Sequence, residues 1–353
     1  MKILGIESSC DETAAAIVED GHKLLSNVVA SSMALHVQYG GVVPEIAARS
    51  HIEAILPVIV QALDDAKTDW GEVDGIAVTY GAGLGGSLLI GVLAARTLAI
   101  IKDKPLYAIN HVEGHVYANF LTDTALPGYT LRPSQPSFPM LALIVSGGHS
   151  QLVLFRNHFD YSLLGQTHDD AIGEAFDKVA KILGLPYPGG PSIGQKALSG
   201  DPLYFDLPKA KLDGKYDFSF SGVKTAVLRL AQAQIGENFN FPSKNLPERL
   251  NEAQKANIAA SFQRVAIETV VDKTILAYNE FRPASVVIAG GVAASPELRR
   301  QLTERLPIEI SYADPKLCTD NGAMIAAIGC FKVRHKQPTA DPYSLTIEPN
   351  LSM

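Results

Sequence analysis

Cysteine is scarce. Cys10, Cys318 and Cys330 are scattered through 353 residues, too few and too far apart for a disulfide framework. That excludes the small cross-linked secreted classes and makes a reducing cytoplasm the expected compartment. Positive charge is also short. Lys and Arg number 30 against 37 Asp and Glu, for a formal net charge of −7. Free-standing nucleic-acid binding on a strongly basic face is therefore not expected. Short basic clusters occur at Lys332, Arg334, His335 and Lys336, and at Lys209, Lys211 and Lys215. They read as solvated surface, so a nucleic-acid substrate would need partner proteins to supply part of the positive field. Long apolar runs are missing too. The most apolar stretch, 88–101, is short and carries Arg96, so no membrane span is expected. No signal peptide is expected ahead of the first strand, which opens at Ile3. What remains, 47% hydrophobic and 19% charged, is a soluble globular chain with length for two domains.

What the chain does have is a pair of imidazoles four residues apart, His111 and His115, just after the strand-like Leu106-Tyr107-Ala108-Ile109. On a helix such residues sit one turn apart on one face and can bind one divalent metal, leaving room for a third ligand. The zinc-protease signature has a glutamate directly after the first histidine. Here Val112 stands there, and Glu113 is turned about 200° from His111, away from the metal face. Glu113 could orient a ligand from behind but is badly placed as a hydrolytic base. Asp320, ahead of the small-residue helix expected over 323–329, reads either as a helix N-cap or as the third, oxygen ligand.

Taken in order, residues 2–9 form a buried strand, 14–18 and 24–30 return as two more, and the turn between the first two offers Ser8, Ser9, Asp11 and Glu12. A helix over 46–63 is expected to kink or divide at Pro57. Gly81 to Gly86 satisfies G-x-G-x-x-G between a strand and the helix 87–101, but the next strand ends at Asn110 and His111 with no carboxylate for a ribose. A dinucleotide fold is therefore disfavoured. A Pro-rich connection over 122–138 marks a boundary. Beyond it the opening pattern returns: strand 140–145, turn Ser146-Gly147-Gly148-His149-Ser150, strand 151–155, and a third strand from Tyr161. Helices over 170–183 and 256–281 follow, the first with Asp177 four residues before Lys181 as an ordinary side-chain pair. Val286 to Pro296 reads as strand, glycine turn and helix start, with Ser295 as N-cap and Pro296 at the first helical position. The expected division is 1–130, 139–330 and a tail, 331–353.

Two strand–turn–strand repeats, each followed by helices, resemble the duplicated actin-like (ASKHA) fold of actin, hexokinase and the heat-shock ATPases. That implies an α/β architecture of two RNase H-like subdomains with an interdomain cleft. Within that superfamily the chain resembles the tRNA N6-adenosine threonylcarbamoyltransferase family over nearly its whole length. The resemblance rests on eight stretches in the family's order: 5–13, 39–45, 111–115, 145–149, 174–178, 187–191, 218–225 and 318–322.

The resemblance implies one divalent metal, Fe2+ or Zn2+, on His111, His115 and Asp320. It implies substrate contacts at Ile144, Val145, Ser146, Gly147, Gly148, Asp177 and Gly190, with Ser295 where the family carries asparagine. Asp11 and Glu12 match the family's active-site carboxylates. The implied substrates are threonylcarbamoyl-AMP and tRNA, and an adenine nucleotide can occupy the cleft. The implied partners are a paralogue-like subunit (TsaB type), a small ATPase (TsaE type) and the synthase that makes the adenylate upstream. Gly194 stands where many members have an acid, and Ala82 replaces a common proline. A zinc metalloprotease, resting on the two histidines, and an ATPase or kinase of the actin-like class are the competing readings.

Overall fold

The computed structural model describes residues 1–353. The chain forms two compact units, 1–136 with 311–353, and 137–310. The first opens with β1 (Lys2–Glu7), β2 (Glu12–Glu19) and β3 (Lys23–Ser31), an antiparallel meander. Then come α1 (Pro44–Asp65), β4 (Val73–Gly81), α2 (Gly85–Lys102), β5 (Leu106–Asn110), α3 (His111–Tyr117) and the short β6 (Asp123–Thr124). The sheet order is β5-β4-β1-β2-β3-β6. β4 lies parallel to β1, and β5 parallel to β4, which requires the helical crossovers α1 and α2.

The second unit repeats the scheme. β7 (Met140–Val145), β8 (Ser150–Asn157) and β9 (Asp160–Gln166) form the meander. They are followed by α4 (Ile172–Leu183), α5 (Gly189–Ala197), α6 (Ser221–Gln234) and α7 (Glu252–Phe281). β10 (Ser285–Ala289), α8 (Pro296–Arg305) and β11 (Ile310–Tyr312) complete it. The order β9-β8-β7-β10-β11 matches β3-β2-β1-β4-β5, and β10 is parallel to β7 as β4 is to β1. The duplication expected from the repeated strand–turn–strand pattern is therefore present in the topology.

The last helix, α9 (Gly322–Arg334), departs from expectation. It packs on β1 and β2 of the first unit. The expected second domain, 139–330, thus ends too late, and 331–353 is no separate tail. The cause is the shape of α9. Successive side chains of a strand point to opposite faces. On β1, Leu4 and Ile6 join the core made by Ile55, Val58 and Ile59 of α1 and Val92 and Ala95 of α2. The other face carries Ile3 and Gly5. A Cβ on Gly5 would lie 2.4 Å from Ala326 N, and one on Gly329 would lie 2.9 Å from Ile3 Cγ2. Glycines therefore set the close fit of α9 on this face, Gly5 of the strand lying under Ala326 and Gly329 of the helix lying over Ile3.

Residues beyond α9 run back over the same unit. Arg96 donates to the carbonyls of Pro342, Tyr343 and Leu345. Pro57 does not divide α1, which runs from Pro44 to Asp65. It sits on the exposed side of the helix, where water can satisfy the carbonyl left without its N–H donor. Both α1 and α2 are, by length and composition, apolar enough to cross a membrane, which corrects the expectation that no stretch qualifies. Their inner residues build the core named above. The surplus apolarity lies outside, at Ile52, Leu56 and Val60, which are 62%, 59% and 57% exposed.

Candidate active site

The metal-binding reading begins at the N-terminus of α3. Asn110 ends β5 and caps α3, its side-chain oxygen accepting from Val112 N and Glu113 N. Such a cap stabilises a helix start by about 1 kcal/mol, and here it fixes a helix of only two turns. His111 and His115 fall on one face, with ring centroids 4.7 Å apart. Gly114 between them lies against α9, where a Cβ would come within 2.9 Å of Ile325 Cδ1. The loop leading into α9 therefore passes over α3 and delivers Asp320. Its Oδ1 lies 3.5 Å from His111 Nε2 and 3.3 Å from His115 Nε2. Asp320 is not the cap of α9, because Asn321 takes that place by accepting from Met324 N.

These three residues suit a divalent cation. One donor atom from each lies within 4.8 Å of the others, and two imidazoles with one carboxylate are a common set for zinc or iron. Both ring nitrogens of His115 are buried without a hydrogen-bond partner, which is costly unless something else pairs with them. The field also favours positive charge. Burial works against a charged His111, yet the carboxylates of Asp320 and Glu7 outweigh it and push the imidazole up to about 9.

Glu7 is the residue that reading the sequence missed. It is fully buried at the end of β1. One oxygen accepts from Ser9 N at 2.5 Å, and the other accepts from the Thr79 hydroxyl at 2.5 Å and lies 3.2 Å from His111 Nδ1. The available signal was a carboxylate closing an otherwise apolar strand. Glu113, considered as a residue that orients a ligand, does not meet the histidines' metal face. It is buried, and Lys332 of α9, which donates to Ala108 O, is the positive charge acting on it. Burial pushes its carboxyl up to about 7, against the pull of Lys332.

The turn after Glu7 carries Asp11 and Glu12. Its backbone is held from outside: Leu84 N donates to Ser9 O, and His51 Nε2 and the Ser87 hydroxyl both meet Cys10 O. Ser32 donates twice to Asp11 O. Burial, and then the nearby carboxylates of Asp320 and Asp11, push the Glu12 carboxyl up to about 9. Asp11, Glu12 and Asp320 thus form one acidic group beside the two imidazoles.

In the second unit the residues linked to substrate binding divide into two kinds. Ile144 and Val145 are wholly buried in β7, so their side chains belong to the core and offer no ligand contact. Ser146 N donates to His149 O, and His149 N donates to the Ser146 hydroxyl. Gly147 and Gly148 are exposed at the tip, and a side chain there would meet nothing within 4 Å. Gly290 supports this turn from behind. Its φ is +89°, and a Cβ would lie 2.4 Å from Val145 O. Asp177 is not engaged with Lys181. It accepts from Gly189 N at 2.6 Å and so holds the start of α5. Burial raises its carboxyl, and this hydrogen bond opposes the shift. Gly190, beside it, is open. Ser295 caps α8 by accepting from Leu298 N, with Pro296 at the first helical position. Gly194 has room for a side chain, so packing does not dictate the missing acid there.

A family model described as tRNA N6-adenosine threonylcarbamoyltransferase matches residues 23–327. The chain belongs to this family. A relative of that name from Thermomicrobium roseum is 51% identical over 333 residues, covering 92% of this chain and 90% of its own. Another, from Desulfitobacterium hafniense, is 48% identical over 359 residues, covering 100% of this chain and 98% of its own. Among solved structures, full-length HypF in its phosphate- and nucleotide-bound form aligns with a TM-score of 0.56 at 13% identity. It covers 96% of this chain and 47% of that one, a likeness of fold. The family's members are transferases by name, in keeping with the α/β architecture and the acidic, imidazole-bearing site.

Proposed function

We propose that the protein transfers the threonylcarbamoyl group of threonylcarbamoyl-AMP to N6 of adenosine 37 in tRNAs that read codons starting with A. Family membership over the whole chain carries this reading, and the acidic group beside His111 and His115 supports it. In the reaction a bond forms between N6 and the carbamoyl carbon. The bond from that carbon to the phosphate oxygen breaks, AMP leaves, and N6 gives up one proton. The exocyclic amine is a poor nucleophile, so the donor must be an activated mixed anhydride and the proton needs an acceptor. Asp11 takes that proton, and Glu12 lies beside it. A divalent metal, Fe2+ or Zn2+, held by His111, His115 and Asp320 would supply Lewis-acid polarisation of the acyl group. The exposed Gly147 and Gly148 backbone suits a phosphate, and Gly190 leaves space for a nucleotide beside Asp177. Ser295 has its oxygen committed to a helix cap.

The protease reading lacks a base, since Val112 stands directly after His111 and Glu113 is buried. No observation favours the ATPase reading. The partners we propose are tRNA, a small ATPase, the adenylate synthase upstream and a paralogue-like subunit. The exposed row Ile52, Leu56 and Val60 on α1, with Leu89 and Leu93 on α2, offers that subunit an apolar face. A cytoplasmic site of action follows from the tRNA substrate. The test is nucleoside mass spectrometry of tRNA from cells depleted of the protein and rescued with wild type or His111→Ala. Modified adenosine should disappear and return only with the wild type. Persistence in depleted cells that lack a second copy of the gene would remove the proposal.

A further inference from the structure

The two histidines of α3 are held differently from behind. His115 Nδ1 has no hydrogen-bond partner. His111 Nδ1 faces Glu7 Oε2 at 3.2 Å and the Ser9 hydroxyl at 3.1 Å. From this geometry we infer that Glu7 is a positioning residue. It holds the proton on His111 Nδ1, which leaves Nε2, on the side of Asp320, as the nitrogen that would bind the metal. The inference rests on the reading of His111, His115 and Asp320 as metal ligands.

The hydrogen bonds around Glu7 explain why a carboxylate is needed. Ser9 N is a backbone donor, so Oε1 must accept. Oε2 accepts from the Thr79 hydroxyl and remains an acceptor toward Nδ1. A hydroxyl such as that of Ser9 can donate or accept and leaves the tautomer open, whereas an ionised carboxylate only accepts. The backbone makes the placement rigid. Glu7 ends β1, whose Ile6 is in register with Val78 of β4, so Thr79 comes alongside the carboxylate. Carboxylates behind metal-binding histidines act in this way in many sites, and removing them weakens metal binding about 10- to 100-fold.

Glu7→Gln is nearly isosteric and gives a sharp test. Its amide oxygen must stay on Ser9 N, because the other orientation sets two donors against each other. The amide NH2 then faces His111 Nδ1 and drives the proton to Nε2, where it blocks the metal. Zn2+ dissociation constants should be measured by competition with a chromogenic chelator, and visible spectra recorded with Co2+ bound. Thermal unfolding of the metal-free proteins should accompany both. We expect E7Q to bind Zn2+ about 10- to 100-fold more weakly, with a changed Co2+ spectrum. Ser9→Ala should stay within about threefold of wild type and keep its spectrum. If E7Q does not fold, Glu7→Asp carries the test, since its carboxylate stops one methylene short of Nδ1 and should also weaken binding. His111→Ala and Asp320→Ala are the controls for the site itself. If they lose the metal while the Glu7 variant binds like wild type, the role of Glu7 is overturned and the metal site stands. If they retain the metal, both are overturned.

Discussion

The turn after β1 and the turn after β7 occupy the same place in the two halves of a duplicated fold, yet they are built in opposite ways. The first, Ser8 to Asp11, has its carbonyls taken from outside by Leu84, His51, Ser87 and Ser32. The second closes mainly on itself through Ser146 and His149, with Gly173 N donating to Ser146 O from outside. A turn braced by neighbouring elements can hold carboxylates against their mutual repulsion, and Asp11 and Glu12 are there. A self-closed turn with glycines at its tip presents backbone instead of side chains. The duplication thus supplies two equivalent positions, and residue choice makes one acidic and the other suited to an anion.

The comparison can be broken most severely at Asp11. Asp11→Asn should abolish transfer to tRNA while the metal content of the purified protein stays at the wild-type level. Unchanged turnover would take the first turn out of the chemistry. Next in size is Gly290→Val behind the second turn. At a φ of +89° and with Val145 O in the way, it should cost about 1–3 kcal/mol of stability. Thermal unfolding and nucleotide titration would both report it, whereas Zn2+ affinity should not move.

A finer test lies at His51, which bridges Thr13 and Cys10 O. Burial lowers its pKa, so a neutral ring donates from Nε2 to the carbonyl. Glutamine can reproduce that donor and asparagine cannot reach it. His51→Gln should therefore retain most of the transfer rate, and His51→Asn should lose about tenfold, equivalent to roughly one hydrogen bond. Equal rates for the two variants would show that the brace is dispensable.

The smallest effect is expected at Asp170, which pairs with Lys178 and Lys224 near the second turn. Burial would raise its carboxyl, but the two lysines outweigh that and hold it below the usual range. Its stabilising contribution is present above the unfolded carboxylate pKa of about 4. It fades as pH falls through the lower folded value. Melting temperatures should therefore drop more steeply with acid in the wild type than in Asp170→Asn. Parallel curves would assign no stability to the pair.

The repeated strand–turn–strand pattern and the spacing of His111 and His115 were legible in the sequence because both are local periodicities. Asp320 was legible only as one of two options. The cap option falls away only in the structure, where Asn321, one residue on, takes that place. The role of Glu7 and the packing of α9 were missed for a shared reason. Their partners lie far away along the chain, and no spacing rule reports a hydrogen bond to Thr79 or a helix fitted to Gly5. Pro57 was over-read, because a rule about missing donors ignores which side of the helix faces water.

The placement of α9 has a consequence for biosynthesis. Residues 137–310 are contiguous and can complete their fold while later residues are still being added, as domains do during translation. The first unit cannot, although its strands emerge earliest, because β1 lacks one of its two covers until residues 322–334 have been made. Asp320 arrives with that same segment. A metal site on His111, His115 and Asp320 would stay incomplete until that segment is made, because a chain halted before residue 320 carries the two histidines without the carboxylate.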